Sequence, residues 1–147
     1  MRLSAKKVQY ACAALFELAL AYKNEQPVQV HMIAARQKLP TNYLVQILIA
    51  LRRAGLVTSV RGSQGGYRLA VPPDKITVAQ VIGIVDGPIC ESDSQADAVV
   101  SDRRLASYWL EKLQRSACKT LEQQLDSVSF ADIVDRYGGQ QETMYYI

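Results

Sequence analysis

The stretch SVRGSQGGYRLAV, residues 59–71, decides how the rest of the chain is read. Val57, Ser59 and Arg61 alternate with their neighbours on the way in, and Tyr67, Leu69 and Val71 on the way out, the period-two pattern of a hairpin. Gly62, Gly65 and Gly66 fall between the two runs and are expected to supply the positive φ angles of the loop. A basic, glycine-rich tip is a poor core element. It suits contact with something negative.

Upstream, Val8, Ala11, Cys12, Leu15, Leu18, Ala19 and Tyr22 recur in steps of three and four, which predicts a helix over 6–22, ended by Asn24 to Pro27. An extended PVQV leads to a short helix over about 31–38, with Ile33, Ala34 and Gln37 on one face. After the turn at Leu39-Pro40-Thr41, the inward set Leu44, Ile47, Leu48 and Leu51 predicts a third helix over 41–54, with Gly55 at its C-terminal cap. Three helices, a tight turn before the third and a following hairpin are the order of a winged helix-turn-helix. The expected fold is therefore mainly α with a small β-hairpin wing.

In that fold the N-terminal residues of the third helix meet base edges in the major groove, and the wing lies beside them. The candidate DNA contacts are Arg36, Thr41, Asn42, Tyr43, Gln46 and Arg53 on the helices, and Arg61, Gly62, Ser63, Gln64, Gly65 and Arg68 on the wing. Asn and Gln can address adenine with paired hydrogen bonds, Tyr can hold a phosphate, and Arg is drawn into narrow minor grooves. The plainer alternatives are arginines that only solubilise, and a Tyr43 packed on the second helix with its hydroxyl emerging.

The charge distribution favours DNA. A net charge of +3 hides an asymmetry: residues 1–75 carry 11 Lys and Arg against 3 Asp and Glu, net +8, while residues 76–147 carry 6 against 11, net −5. No acidic residue lies between Glu25 and Asp74, where Arg36, Lys38, Arg52, Arg53, Arg61 and Arg68 all fall. That pattern describes a polyanion-binding module joined to something else. No apolar run approaches the ~18–20 residues of a membrane span. The opening MRLSAKKVQYA lacks the apolar stretch and cleavage site of a signal peptide. Three widely spaced cysteines, Cys12, Cys90 and Cys118, argue against a disulfide scaffold and for a reducing, cytoplasmic setting.

Pro72-Pro73-Asp74 breaks the chain after the hairpin. Thr77 can then cap a short helix carrying Val78, Val81, Ile82 and Val85, closed by Gly87-Pro88. Residues 89–101 are polar and aperiodic and are expected to form a loop. A long helix follows from Asp102 to about Leu125, with Leu110, Leu113, Ala117, Leu121 and Leu125 in steps of three or four and Val128 continuing the series. That stripe is too long for a small domain to cover, so a second copy of the chain is the expected cover. Ser129 and Asp132 have capping-box spacing and open a last helix expected to end at Gly138-Gly139. The expected division is a DNA-binding domain over 1–75, a dimerisation and effector-sensing region over 76–137, and a flexible tail over 138–147.

The sequence resembles the Rrf-two-type (IscR-, NsrR- and CymR-like) bacterial transcription regulators. The resemblance rests on MRLSAKKVQYA, on Tyr43-Leu44 with Gln46, on VIGIVDGP and SVSFADIV, and above all on LRRAGLVTSVRGSQGGYRLA at 51–70. It covers roughly residues 1–137. It implies a winged-helix homodimer with crossing long helices, bound to double-stranded DNA at a palindromic promoter site and acting as a repressor, with no membrane involved. A metabolic enzyme as controlling partner is an alternative the same resemblance suggests. It also raises an iron–sulfur cluster, because cluster-binding members place three close cysteines in the loop before the long helix. Here that loop holds only Cys90, and Cys118 lies about sixteen residues down the helix, roughly 24 Å from its start. A metal site would have to be composite, with Cys90 meeting Cys12 of the other subunit; otherwise no cofactor is expected.

The remaining candidates have bland readings beside them. Cys12 lies on an apolar stripe, where free cysteine is ordinary core, and Cys118 reads as packing. Cys90 sits among acidic residues that hold a thiol protonated, and its exposure leaves a redox role open. His31, the sole histidine, reads as a surface or capping residue. With no HExxH and no GxSxG, the chain does not read as an enzyme.

Overall fold

Apolar residues at helical spacing build the first half. α1 (Lys6–Leu20) turns Val8, Ala11, Ala14, Leu15, Leu18 and Ala19 inward, each at most 5% exposed. It stops at Leu20, short of the expected Tyr22; a 3-10 turn over Tyr22–Asn24 follows, and Glu25 closes that turn at φ 53°. α2 (Val30–Gln37) buries Ile33 and Ala34 and ends on Lys38, whose φ of 54° lets its N–H bond the Ala34 carbonyl. α3 (Thr41–Arg53) buries the expected Leu44, Ile47, Leu48 and Leu51. Gly55, at φ 84°, turns the chain out so that its N–H reaches Arg52 O and that of Leu56 reaches Leu51 O, both at 3.0 Å. This paired closure is what an αL glycine permits. The computed structural model describes residues 6–90 and 105–145, with backbone alone for 138–145; the expectations for 1–5, 91–104 and 146–147 lie outside the described residues.

The hairpin consists of β1 (Val57–Val60) and β2 (Gly66–Leu69), antiparallel and in register from Val57 opposite Leu69 to Val60 opposite Gly66. Val28, in the extended segment before α2, adds a bridge to Tyr67 through N–H···O bonds of 2.8 and 2.9 Å. The glycines divide their labour differently from expectation. Gly62 and Gly66 have positive φ, 111° and 152°. Gly65 is not among the positive-φ glycines; it is needed because a Cβ there would run into the Val60 and Gly62 carbonyl oxygens. The tip is crowded as well as tightly turned.

In the second half, Thr77 caps α4 (Val78–Val85) by accepting from Gln80 N at 3.2 Å. Val81 of α4 enters the core shared by α1 and α3, as do Ile76 and Phe130. α5 (Leu105–Asp126) is the longest helix described, and no residue on it is fully buried. The capping box forms as spaced: Ser129 N bonds Asp132 Oδ2 at 3.0 Å, and Asp132 N bonds Ser129 Oγ at 3.1 Å. These bonds hold the Asp132 carboxyl below its usual range. α6 (Phe130–Tyr145) then runs through Gly138 and Gly139, where it was expected to end. Glycine costs a helix about 1 kcal/mol against alanine but keeps its N–H, so favourable neighbours can carry the helix past it.

The cysteines also depart from expectation. Cys90 and Cys118, 28 residues apart in sequence, are joined in a disulfide with Cα atoms 5.9 Å apart. Distance along a helix bounded the wrong quantity. The residues between Cys90 and α5 can span roughly 45 Å of extended chain, ample to bring Cys90 back to mid-helix. Cys12 stays free and half-buried, packed against the core, and that burial pushes its thiol from the ordinary 9.0 up to about 11.

Candidate nucleic-acid interface

The inward stripe of α3 leaves a complementary outward face, and its first turn is polar. Thr41, Asn42, Tyr43 and Gln46 are all exposed there. The helix begins immediately after Pro40, whose fixed φ suits a helix entry and whose carbonyl accepts from Leu44 N at 3.1 Å. Tyr43 packs edge-on against Tyr10 of α1, ring centroids 5.6 Å apart, and stays 40% exposed. The plainer reading of Tyr43 put it on α2; the ring contact found is with Tyr10 of α1, and the ring stays partly exposed.

The wing is braced from below at two places. The Val28–Tyr67 bridge holds its returning strand, and Gln29 Nε2 donates to the Ser63 carbonyl at its tip, 3.2 Å away. Both tethers come from the residues that lead into α2, so α2, α3 and the wing share one frame. Arg61, Gly62, Ser63, Gln64 and Arg68 are exposed, whereas Gly65 is buried within the tip. Arg52 reaches across from the end of α3 to Ser59 Oγ at 3.4 Å, while Arg53 beside it is exposed.

Arg36 is more constrained than its sequence position suggested. Its Nη1 lies 3.3 Å from Glu17 Oε2, a carboxylate only 2% exposed, while Gln37 Nε2 donates to Glu17 Oε1 at 2.6 Å. Burying a carboxylate is costly unless it is paired, and both partners come from α2, so this cluster pins α2 onto α1. Sequence reading missed Glu17 and Gln29, and placed Gln37 on the face of Ile33 and Ala34 without its partner. The available signal for Glu17 was a carboxylate set between Leu15 and Leu18 on an otherwise apolar stripe. With Glu17 neutralised, the exposed acids of the first 75 residues reduce to Glu25 and Asp74. Lys38, Arg53, Arg61 and Arg68 remain exposed. The α3 face and wing can therefore attract a polyanion and offer hydrogen-bonding side chains to it.

Comparison with known proteins agrees with this geometry. A family model described as Rrf2, iron-dependent transcriptional regulator, matches residues 4–136. The chain is 36% identical over 148 residues to the HTH-type transcriptional regulator CymR of Bacillus subtilis, covering 100% of both chains. It is 46% identical over 86 residues to the HTH-type transcriptional regulator IscR of Aliivibrio salmonicida, covering 58% of this chain and 50% of that one. The solved structure of CymR, the global cysteine regulator of B. subtilis, superposes with a TM-score of 0.72 at 30% identity, over 92% of this chain and 98% of the other.

Among the described residues of the single chain, the donor set does not assemble a site for the iron named in that family description. Among the described residues no group of three or more His, Cys, Asp or Glu is arranged to hold a metal ion. In the oxidised form shown by this structure Cys90, the expected ligand, is bonded to Cys118, and burial raises the Cys12 thiol to about 11. Cluster ligation needs thiolates. Among the described residues no helix is long and apolar enough to cross a membrane.

Proposed function

Because this chain belongs to the Rrf2 family of transcriptional regulators, we propose that it acts as a homodimeric repressor on a palindromic promoter site. Asn42 and Gln46 read base edges in the major groove, while Thr41 and Tyr43 hold the adjacent backbone. Arg53 and Arg68 contact phosphate, and Arg36 contributes only what its pairing with Glu17 leaves free. Arg61 enters the minor groove, with Gly62, Ser63, Gln64 and Gly65 forming the tip that lets it approach. The observation that carries the reading is the common brace: Gln29 and Val28 hold the wing beside an α3 whose first turn is polar and exposed. The dimer rests on α5, where Leu110 and Leu113 stand 56% and 67% exposed with Ala117 beside them, and the half-buried Leu121 and Leu125 extend the stripe.

The test is a paired titration of cognate and random duplexes at one fixed salt concentration. Arg61→Ala is expected to cost about 1–3 kcal/mol on the cognate site and less on random DNA, since groove shape is part of what Arg61 reads. Arg53→Ala is expected to weaken both nearly equally, as a phosphate contact does. Cognate affinity equal to wild type in Arg61→Ala refutes the wing's role.

A further inference from the structure

The apolar arc of α5 has two edges with different surroundings. Cys118, Leu121 and Leu125 are half-buried against their own chain, whereas Trp109, Leu110 and Leu113 are 58%, 56% and 67% exposed. With no fully buried residue, α5 depends on a few specific ties. At its C-terminal end Thr77 Oγ1 donates to Asp126 Oδ1 at 2.9 Å, and just beyond it Val78 N–H bonds the Val128 carbonyl at 3.1 Å. At mid-helix the tie is the Cys90–Cys118 disulfide. Cys90 closely follows α4, and Val81 of α4 lies in the same core as Leu44 and Leu48 of α3. One covalent bond thus ties the helix bearing the exposed apolar face to the segment that follows α4, and α4 is packed in one core with the helix bearing the DNA-reading face.

We propose that Cys90 and Cys118 are a reversible thiol–disulfide site that stiffens the joint between α5 and the DNA-reading half. A chain that works on DNA sits among reducing thiols, where a disulfide is usually transient and sensing rather than structural. In opening, the bond between the two Sγ atoms breaks and each sulfur gains a proton. Two low-molecular-weight thiols supply the protons and two electrons and leave as their own disulfide. Closing is the reverse, with that small disulfide as oxidant. The freed Cys118 thiol has an acceptor ready, because its sulfur lies 3.6 Å from the Ile89 carbonyl. Cys12 does not compete: its burial and raised pKa of about 11 leave little thiolate. The effect on DNA rests on the homodimer reading above, since a stiff joint fixes the spacing of two reading helices.

The experiment equilibrates the full chain with reduced and oxidised glutathione at a series of ratios, traps free thiols under denaturing conditions and reads the intact mass. The expected result is one two-thiol step, from all three cysteines alkylated to one, with a linked peptide holding Cys90 and Cys118. The step is expected to persist in Cys12→Ala and vanish in Cys118→Ser. Amides of residues 105–117 are expected to exchange with deuterium about tenfold faster in the reduced form. Single glutathione adducts in place of the two-thiol step, or equal α5 exchange in both forms, overturn the proposal. On a duplex with two half-sites the oxidised form is expected to bind about threefold tighter or more, because a stiff joint lowers the ordering cost. Equal affinity overturns the coupling to DNA. Failure of both forms to bind any duplex, with the step and the exchange change present, upholds the thiol site and refutes the DNA-reading homodimer.

Discussion

Replacing Gly66 with alanine tests the frame that carries the wing. Gly66 sits at φ +152°, and a Cβ there would meet the Val28 carbonyl oxygen, with the Val28 carbon at 2.6 Å and Gln29 N at 2.9 Å. Relief requires the strand to retreat by roughly 1 Å, since close-packed carbon contacts settle at about 3.5–4.0 Å. That retreat breaks the two Val28–Tyr67 hydrogen bonds at 2.8 and 2.9 Å. Each is worth about 1 kcal/mol net, and the unfavourable φ adds about 1–2 kcal/mol, for a loss of about 3–4 kcal/mol. In a chain of this size each kcal/mol moves Tm by about 2–4 °C, so a fall of roughly 10 °C is expected. Gly62→Ala is the control, because its φ is +111° but nothing lies within 4 Å of its Cβ. It should lose only about 1 kcal/mol of strain. Thermal unfolding and duplex titration of both variants, the titration run well below either Tm, decide the matter. Gly66→Ala is expected to bind several-fold more weakly than Gly62→Ala although neither removes a charge. Equal Tm and equal affinity for the two variants would refute the idea that Val28 holds the wing.

Two further perturbations probe the second half and the core. Leu110→Asp combined with Leu113→Asp is expected to give folded monomers, because both side chains are more than half exposed in the single chain. Across a dimer the four leucines account for about 4–8 kcal/mol, three or more orders in the dissociation constant, and sedimentation showing a stable dimer would refute the α5 interface. For Cys12, the folded pKa of about 11 lies above the ordinary 9.0, so the fold favours the neutral thiol. Its stabilising contribution is full below pH 9 and is lost as pH rises through 11. At pH 8 alkylation of native Cys12 is expected to be about 100-fold slower than that of an exposed thiol, and a rate within tenfold of the exposed thiol would contradict its burial.

What the sequence revealed and what it hid follow a physical line. Helices α1 to α3 and the hairpin were legible because their apolar residues repeat at 3.6 and 2.0 over several turns or pairs, and the caps at Thr77 and Ser129 because their bonds span three residues. The Val28–Tyr67 bridge was invisible, since a single paired residue makes no period. So were Glu25 and Lys38, which take left-handed φ without being glycine. Gly138 and Gly139 misled because glycine usually ends a helix, although only proline takes away the donor. The disulfide eluded reading for a different reason: the fold, and not the spacing, brings Cys90 to Cys118. In the interface the candidate residues were named from residue type and helix position, while the Glu17, Gln37 and Gln29 contacts that position them are tertiary.

The salt dependence of duplex binding tests the central claim most directly. Lys38, Arg53, Arg61 and Arg68 are exposed, whereas Arg36 is engaged by Glu17. Four cations per subunit, Arg61 lying between the phosphates of the minor groove and the other three on the backbone, make eight for a dimer, and at about 0.9 counterions released per cation the slope of log K against log salt is about −7. The measurement is an equilibrium titration of one bound duplex across a series of monovalent salt concentrations. A slope near −7 is the predicted result, and one shallower than about −2 would contradict the account by showing that the basic half is only a solvated face.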